Sequence, residues 1–476
     1  MNNLLKTMIY QMSRQTHTTL TKRHLEILEF AHEYYYKNRV GPLQHILKQK
    51  LGLSREELQS LFPNGIASLY SWVGIPVQSP QQICKPVAHL EVEDYREVYL
   101  DYNSTTYLRE EVKKVLRDYT QDDLGYGNPS SSHRLGKQVY EQVFDARARL
   151  AGILKVAPAE LVFTSGGTEA DNLALKGIAF QHLEKKGHII SSETEHAAVL
   201  NTLNWLKEIG FEITLLPVTP EGFVSPESVK NAIRPDTLLV AIMAVNNEIG
   251  VINPLAEIGE ICRKQGIPLM VDAVQAFGKI PLNPKRLGIA LLSISGHKIY
   301  GPKGIGALFI DERLNLTPLI HGGEQESGIR SGTENVGHIV AFGKAAVCME
   351  REREKEMKRL ALLQKYFLEQ LDAHVPGYIV NGTLNQRTPN NLNIGFPGID
   401  GSALLLSLNQ IGVFVSSGSA CSAGSRETSH VIRALGVDDQ KYGIIRFSFG
   451  LKTTQEDIEY LFRYLPEIIE QLKSQT

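Results

Sequence analysis

Two different spacings of apolar residues divide the chain. Within 20–37, Leu25, Leu28, Ala31 and Tyr35 recur at the spacing of one helical face. Gly41-Pro42 breaks that pattern and opens a second helix carrying Leu43, Ile46, Leu47 and Leu51. Ser54-Arg55-Glu56-Glu57 has the form of a capping box and predicts a third. Residues 1–88 therefore read as a small helical domain, a bundle or helix-turn-helix module. Further on, short β-rich runs take over at Leu161–Thr164, Ile189–Ser192, Glu212–Pro217, Leu238–Met243, Leu269–Asp272, Leu291–Ser295 and Gly306–Ile310, with helical segments between several of them. That alternation predicts an α/β region with a mainly parallel sheet under helices. The charged run Met349–Leu371 predicts an exposed helix whose charges form a solvated face.

Composition narrows the class. With 476 residues the chain holds more than one core, and 50 Lys+Arg against 52 Asp+Glu argue against a dedicated nucleic-acid or acidic-membrane surface. A DNA-binding role for the N-terminal helices is disfavoured by that near-neutral balance of the whole chain, since duplex contacts need a basic face. The segment MNNLLKTMIY is a poor signal peptide, and no window approaches the ~18 apolar residues of a membrane span. A soluble cytoplasmic protein is expected. Cys84, Cys262, Cys348 and Cys421 are too scattered for a disulfide framework and lack metal-ligand spacing, so any that matter act as thiols. Cys262 and Cys348 fall in predicted helices as fillers.

The candidate chemistry centres on Ser293–Gly306. An apolar run (Ile289, Leu291, Leu292, Ile294) delivers Lys298 onto a turn of small residues with space for a ligand, flanked by Ser295 and His297 as phosphate donors. A lysine amine whose pKa is depressed by burial or cations attacks aldehydes, most commonly pyridoxal phosphate. Asp272 ends another apolar run and supplies the anion that keeps a pyridine nitrogen protonated. The run Phe163–Glu169 passes from a strand through small residues into a helix start, where free N–H groups cradle a phosphate. His196 is placed to stack on a ring face. A solvated lysine or a capping aspartate explains each alone; together they describe one cofactor.

The segments YLDYNSTT (99–106), FTSGGTEADN (163–172), TEHAAV (194–199), VNNEIG (245–250), VDAVQAFGK (271–279), SGHKIYGPKGIGAL (295–308), GIRSGTENV (328–336), SSGSACSAGS (416–425) and IRFSFG (445–450) stand in one order over about three-quarters of the chain. In these the chain closely resembles the NifS/IscS-type cysteine desulfurases of the class V aminotransferase superfamily. The resemblance implies the fold type I architecture of pyridoxal-phosphate-dependent transferases. That is a large domain (108–345) on a mainly parallel seven-stranded sheet, and a small α+β domain from 89–107 and 346–476.

The same resemblance implies roles. Lys298 holds the cofactor and moves the α-proton; Asp272 pairs with the pyridinium, Gln275 with the phenolic oxygen, and His196 stacks and assists proton transfer. Gly167, Thr168, Ser295 and His297 hold the phosphate, joined by Thr333 from the second subunit of a homodimer. Asn247 and Arg446 face L-cysteine, Arg446 through a bidentate grip on the α-carboxylate. Cys421 lies in a run almost devoid of large side chains, which cannot pack as a core and predicts a loop that brings the thiol to the substrate. Its form SSGSAC places the chain with the NifS/IscS group.

In the first domain, LTKRHLEILEFAHEYYYKNRVGP, LFPNGIASLYSWVGIP and Cys84 resemble the DsrC/TusE sulfur-relay family, whose arm carries sulfur on a penultimate cysteine. Ile66 departs from that family's usual proline, and the arm continues into the second domain instead of ending the chain. The two resemblances together imply sulfur passing from Cys421 to a tethered Cys84, and on to acceptor proteins of iron–sulfur cluster assembly or tRNA thiolation. A selenocysteine lyase or another class V enzyme, with the N-terminal domain only docking a partner, is the alternative; neither needs Cys421.

Overall fold

The computed structural model describes residue 9 and residues 20–38, 44–62, 66–73, 92, 94–121, 126–418, 429–438 and 441–474. Cys84 and Cys421 lie outside the described residues, as does the Gly41-Pro42 break. The chain separates into two compact units, one within residues 1–84 and one beyond them.

In the first unit, the helices Lys22–Asn38, Gln44–Leu51, Arg55–Leu61 and Ile66–Trp72 enclose Ile27, Leu28, Leu47, Phe62 and Trp72. Of the apolar face expected in the first helix, Leu28 and Ala31 are fully buried, and Leu25 and Tyr35 pack against the same core. His24 belongs to this interior: its ring bonds Thr21 Oγ1 at 2.7 Å and the Leu61 carbonyl at 2.8 Å and lies 5.3 Å from the Phe62 ring. Half of the expected capping box forms. Ser54 Oγ accepts from the Glu57 N–H at 3.1 Å, while the Glu57 carboxylate accepts from Arg23 Nε at 2.9 Å, an interhelical partner invisible in local sequence.

The second unit contains β1 (Val98–Tyr99), β2 (Leu161–Thr164), β3 (His188–Ser192), β4 (Glu212–Leu216), β5 (Thr237–Ala241), β6 (Leu269–Asp272), β7 (Leu291–Ser295), β8 (Gly306–Ile310), β9 (Ile379–Val380), β10 (Asn391–Pro397), β11 (Val413–Phe414) and β12 (Tyr442–Ser448). Seven of these form one sheet in the order β2-β8-β7-β6-β5-β3-β4. The run β4-β3-β5-β6-β7 is parallel, and β8 pairs antiparallel with β7 and β2. Alternate residues feed two cores. Phe163, Val240, Val271, Leu292 and Phe309 enter one, while Val162, Leu239, Met270, Leu291 and Leu308 enter the other. Both faces are thus covered, which is why these strands read as continuous apolar runs. Ile242 and Met243, expected within a strand, lie beyond the end of β5, and Met243 lines the cavity described below.

Smaller sheets, β12-β10-β9 and the parallel pair β1-β11, build the rest together with the helices Gly401–Gln410 and Gln455–Lys473. The helix Val336–His374 crosses from one part to the other and runs through the expected 345/346 boundary. It differs from the expected exposed helix. It begins 13 residues earlier, and Leu360, Phe367 and Leu371 are buried, Phe367 packing 4.9 Å from the Phe447 ring and 5.1 Å from that of Phe462. Part of its charge is structural: Glu356 is buried against Arg359, whose guanidinium donates to the Gly450 and Thr453 carbonyls at 2.8 and 2.6 Å. Among the described residues no helix is long and apolar enough to cross a membrane.

Candidate active site

The carboxyl ends of β2, β3, β5, β6 and β7 open on one edge of the large sheet, where ligands bind in open α/β folds. A cavity of about 210 Å³ lies there. Of the residues expected from sequence, Gly167, Thr168, His196, Asn247, Asp272, Gln275, Ser295, His297, Lys298 and Arg446 all line it. Thr333 is exposed and does not line this cavity.

Lys298 ends the single turn Gly296–Lys298 that follows β7. Its Nζ donates to the Asn103 carbonyl at 2.5 Å and to the Ser104 carbonyl at 2.7 Å. The turn is locked from the same stretch, since the His297 carbonyl accepts from Thr106 Oγ1 at 2.8 Å. The His297 ring meets Thr105 Oγ1 at 3.1 Å, and burial, with Lys298 and Lys303 nearby, pushes its pKa down to about 4. That imidazole is neutral near pH 7.

Asp272, the last residue of β6, is 7 % exposed, and its Oδ1 accepts from the Val274 N–H at 2.9 Å. Burial raises its pKa, opposed by His196, the Val274 N–H and Lys298. His196 caps the helix Ala197–Glu208, its Nδ1 accepting from the Ala198 N–H at 3.1 Å, so the proton of the neutral ring sits on Nε2. Burial lowers its pKa. Gln275 has its amide orientation fixed from both sides. Nε2 donates to the Asn103 carbonyl at 2.8 Å, and Oε1 accepts from Lys279 Nζ at 2.7 Å. Burial, with Lys298 and Arg446 nearby, pushes Lys279 down to about 7.

Arg446, in β12, is 1 % exposed. Its Nη2 donates to Asp101 Oδ1 and Ser104 Oγ, both at 2.7 Å, and its Nη1 to the Asn247 carbonyl at 3.1 Å. Its Nε is buried without a hydrogen-bond partner among the described residues. The fork implied for a bidentate grip is therefore largely engaged by the protein: three of its five N–H groups are used, leaving Nε–H and the second Nη1–H without an acceptor among the described residues.

These residues fit pyridoxal phosphate. Among the described residues no cationic side chain hydrogen-bonds Asp272, and a protonated ring nitrogen would supply that charge. At Gly167, which opens a 13-residue helix, a Cβ would come within 2.6 Å of Val274 Cγ2, so the backbone there stays bare for an anion. An adjoining recess shares Gly167, Thr168, Ser295 and His297 and adds Lys303, a cation suited to the phosphate.

Sequence reasoning passed over Asn103, Ser104, Asp171 and Lys303. The polar run Asp101–Thr106 directly after β1 was the available signal for the first two. Asp171 stands one helical turn beyond Gly167 and bonds Ser293 Oγ at 2.5 Å; burial, with Asp272 close by, holds it well above the usual carboxylate range.

The sequence profile of the family described as "Aminotransferase class-V" matches residues 98–461. The chain is 46% identical over 380 residues to "Cysteine desulfurase IscS" of Dictyoglomus turgidum, covering 80% of this chain and 96% of that protein. It is 43% identical over 382 residues to "Cysteine desulfurase, mitochondrial" of Arabidopsis thaliana, covering 79% and 83%. Among solved structures, a "NIFS-LIKE PROTEIN" superposes with a TM-score of 0.74 at 36% identity, over 79% of this chain and all of that one. "SspA in complex with cysteine" does so with a TM-score of 0.67 at 35% identity, over 74% and 98%.

Proposed function

We propose, for a chain that belongs to the class-V aminotransferase family, that it is a cysteine desulfurase converting L-cysteine to L-alanine and leaving sulfane sulfur on Cys421. The observation that carries this reading is the meeting of Lys298, Asp272, His196 and Arg446 around one cavity. The relatives named as cysteine desulfurases, and the structural neighbour holding cysteine, support the substrate.

Pyridoxal phosphate is the cofactor of this family, and when bound it supplies an electron sink for bonds at the substrate Cα. Lys298 Nζ would be the amine that attaches it, Asp272 would pair with the ring nitrogen, and the Gly167–Thr168 backbone with Ser295, His297 and Lys303 would hold the phosphate. Gln275 Nε2, with one N–H on the Asn103 carbonyl, would offer the other to the phenolic oxygen. Arg446, braced by Asp101, fixes the α-carboxylate, so that the α-proton rather than CO₂ leaves; Asn247 borders the same carboxylate. Lys298 takes that proton, and His196 Nε2–H is the further donor on the ring face.

In the sulfur step the Cys421 thiolate attacks the substrate Sγ. An S–S bond forms and the Cβ–Sγ bond breaks, its electron pair staying with the carbon, which takes a proton. The balance is L-cysteine and a thiol giving L-alanine and a persulfide, the sulfur oxidised and the carbon reduced without an outside reductant. Alanine formation from L-cysteine tests this: both Lys298→Ala and Cys421→Ser must abolish it, and sulfide release surviving Cys421→Ser unchanged would refute it.

Two finer readings belong with it. The likeness of GIRSGTENV (328–336) to the NifS/IscS-type desulfurases supports a homodimer in which Thr333 reaches the phosphate of the partner, and its exposure leaves it free to do so. The N-terminal unit is a sulfur carrier, with Cys84 taking sulfur from Cys421 for iron–sulfur cluster or tRNA-thiolation acceptors; the sequence likeness to DsrC/TusE proteins supports it. Tethering raises the local acceptor concentration toward the millimolar range, about that of short flexible linkers. Radiolabelled sulfur from cysteine then appears on Cys84 in the wild type and not in Cys421→Ser. Label confined to Cys421 ends the relay and leaves the desulfurase standing.

A further inference from the structure

Lys279 is a half-buried cation that lines neither the cavity nor the adjoining recess. It closes the turn that leads out of β6, where Ala276 and Phe277 donate their N–H groups to the Ala273 carbonyl and Lys279 donates its own to that of Ala276. Gly278, at φ +78°, carries the chain through the left-handed region that glycine adopts without steric cost. The turn brings the lysine back over Gln275, four positions earlier.

Its Nζ donates to Gln275 Oε1 at 2.7 Å, while Gln275 Nε2 donates to the Asn103 carbonyl at 2.8 Å. Among the described residues Lys279 pairs with no carboxylate, and the charges that act on it, Lys298 and Arg446, are both positive. An ammonium only donates and a carbonyl only accepts, so these two partners admit a single orientation of the amide, Oε1 on Lys279 and Nε2 on Asn103. The same Asn103 carbonyl accepts from Lys298 Nζ at 2.5 Å, so the Gln275 amide is held on the atom that also holds the cofactor's lysine. A cation on Oε1 draws electron density out of the amide and makes the remaining N–H of Nε2 a stronger donor.

We infer that Lys279 is a positioning residue for the cofactor: through its bond to Oε1 it holds and polarises the Gln275 amide, so that the second N–H of Nε2 is presented to the phenolic oxygen. This rests on the reading of Gln275 as the donor to that oxygen. The negative charge of the phenolic oxygen helps to keep a proton on the nitrogen that joins Lys298 to the cofactor. A donor that shares this charge lowers the pH at which the proton leaves. A lysine outside the cavity thus sets the charge of the cofactor that cysteine meets.

The test uses the full-length holoenzyme without substrate and reads the pH midpoint of the absorbance change of bound pyridoxal phosphate, with cofactor content and thermal midpoint as controls. The proteins compared are the wild type, Gln275→Ala, Lys279→Met, Lys279→Leu and the double variant Gln275→Ala with Lys279→Met. Other charged or titrating groups of the cavity, Asp171, His196, Asp272, His297 and Arg446, are common to all of them. Gln275→Ala is expected to raise the midpoint by about one pH unit, tenfold in the equilibrium, and Lys279→Met by about half a unit, roughly threefold. Lys279→Leu gives the same shift and stands in should Lys279→Met fail to hold the cofactor. The double variant has the midpoint of Gln275→Ala alone, because a residue that acts through Gln275 then has nothing to act on. A wild-type midpoint in the Lys279 variants overturns the proposal, as does a Lys279→Met shift that adds in full to that of Gln275→Ala, which is the lysine charge acting directly. Failure of the parent reading looks different: Gln275→Ala itself then keeps the wild-type midpoint.

Discussion

Glu195 is a buried acid next to His196 whose protonation is set by the fold. It is 1 % exposed, and its Oε1 accepts from Ser192 Oγ at 2.8 Å and the Met243 N–H at 3.0 Å. Those two donors favour the ionised form, yet burial outweighs them and, with Asp272 adding to it, pushes the pKa from 4.5 up to about 8. The folded protein keeps this proton up to about pH 8, while the unfolded chain releases it above about pH 4.5. The contribution to stability is complete below the unfolded value and is lost as the pH rises toward the folded one, at about 1.4 kcal/mol per pH unit. Between pH 5 and pH 8 the loss from this group is on the order of 3 to 4 kcal/mol. Glu195→Gln removes the titration while its side-chain carbonyl still accepts from both Ser192 and Met243. Urea unfolding of wild type and variant across pH 5–8.5 isolates the effect, because the other titrating groups are common to both. The variant's stability gains on the wild type by that amount as the pH rises. Curves that stay parallel across the range would refute the assignment of a neutral buried acid at position 195.

Other outcomes follow from single contacts. Arg446→Lys keeps the charge but loses the planar fork braced by Asp101 and Ser104, so KM for cysteine should rise at least tenfold in steady-state assays. Gly167→Ala places a methyl against Val274 where the phosphate is expected, and should weaken pyridoxal phosphate retention on dialysis while the circular dichroism stays that of the wild type. Phe367→Ala empties the space beside Phe447, Phe449 and Phe462 and should cost about 3–5 kcal/mol by denaturant unfolding, without changing cysteine binding in the surviving folded protein.

Much of the large sheet is legible in the sequence because its strands are covered on both faces and end abruptly. β2, β6, β7 and β8 are bounded by the same residues in pattern and in structure, each apolar run stopping at a turn former or a polar group such as Ser165 or Asp272. The helix Val336–His374 is legible only in its charged half. Its first part buries Val336, Ile339, Ala341, Phe342, Ala345 and Ala346, leaving no polar face for a helical period to show. At the site, motif residues gather as expected, but their couplings do not show in one dimension. Lys298 bonds the carbonyls of residues 103 and 104, nearly two hundred positions earlier, and Arg446 is occupied by Asp101. The engagement of Glu57 by Arg23 is a third case in which a local motif gave way to a distant partner.

The most direct measurement is the covalent state of Cys421 after one turnover. Full-length protein loaded with pyridoxal phosphate is given one equivalent of L-cysteine, quenched with an alkylating agent and digested, and the peptide containing Cys421 is weighed. One additional sulfur on Cys421, appearing with one equivalent of L-alanine and absent from Lys298→Ala, is the predicted result. Alanine released while Cys421 stays unmodified and Cys421→Ser turns over at the wild-type rate would contradict it.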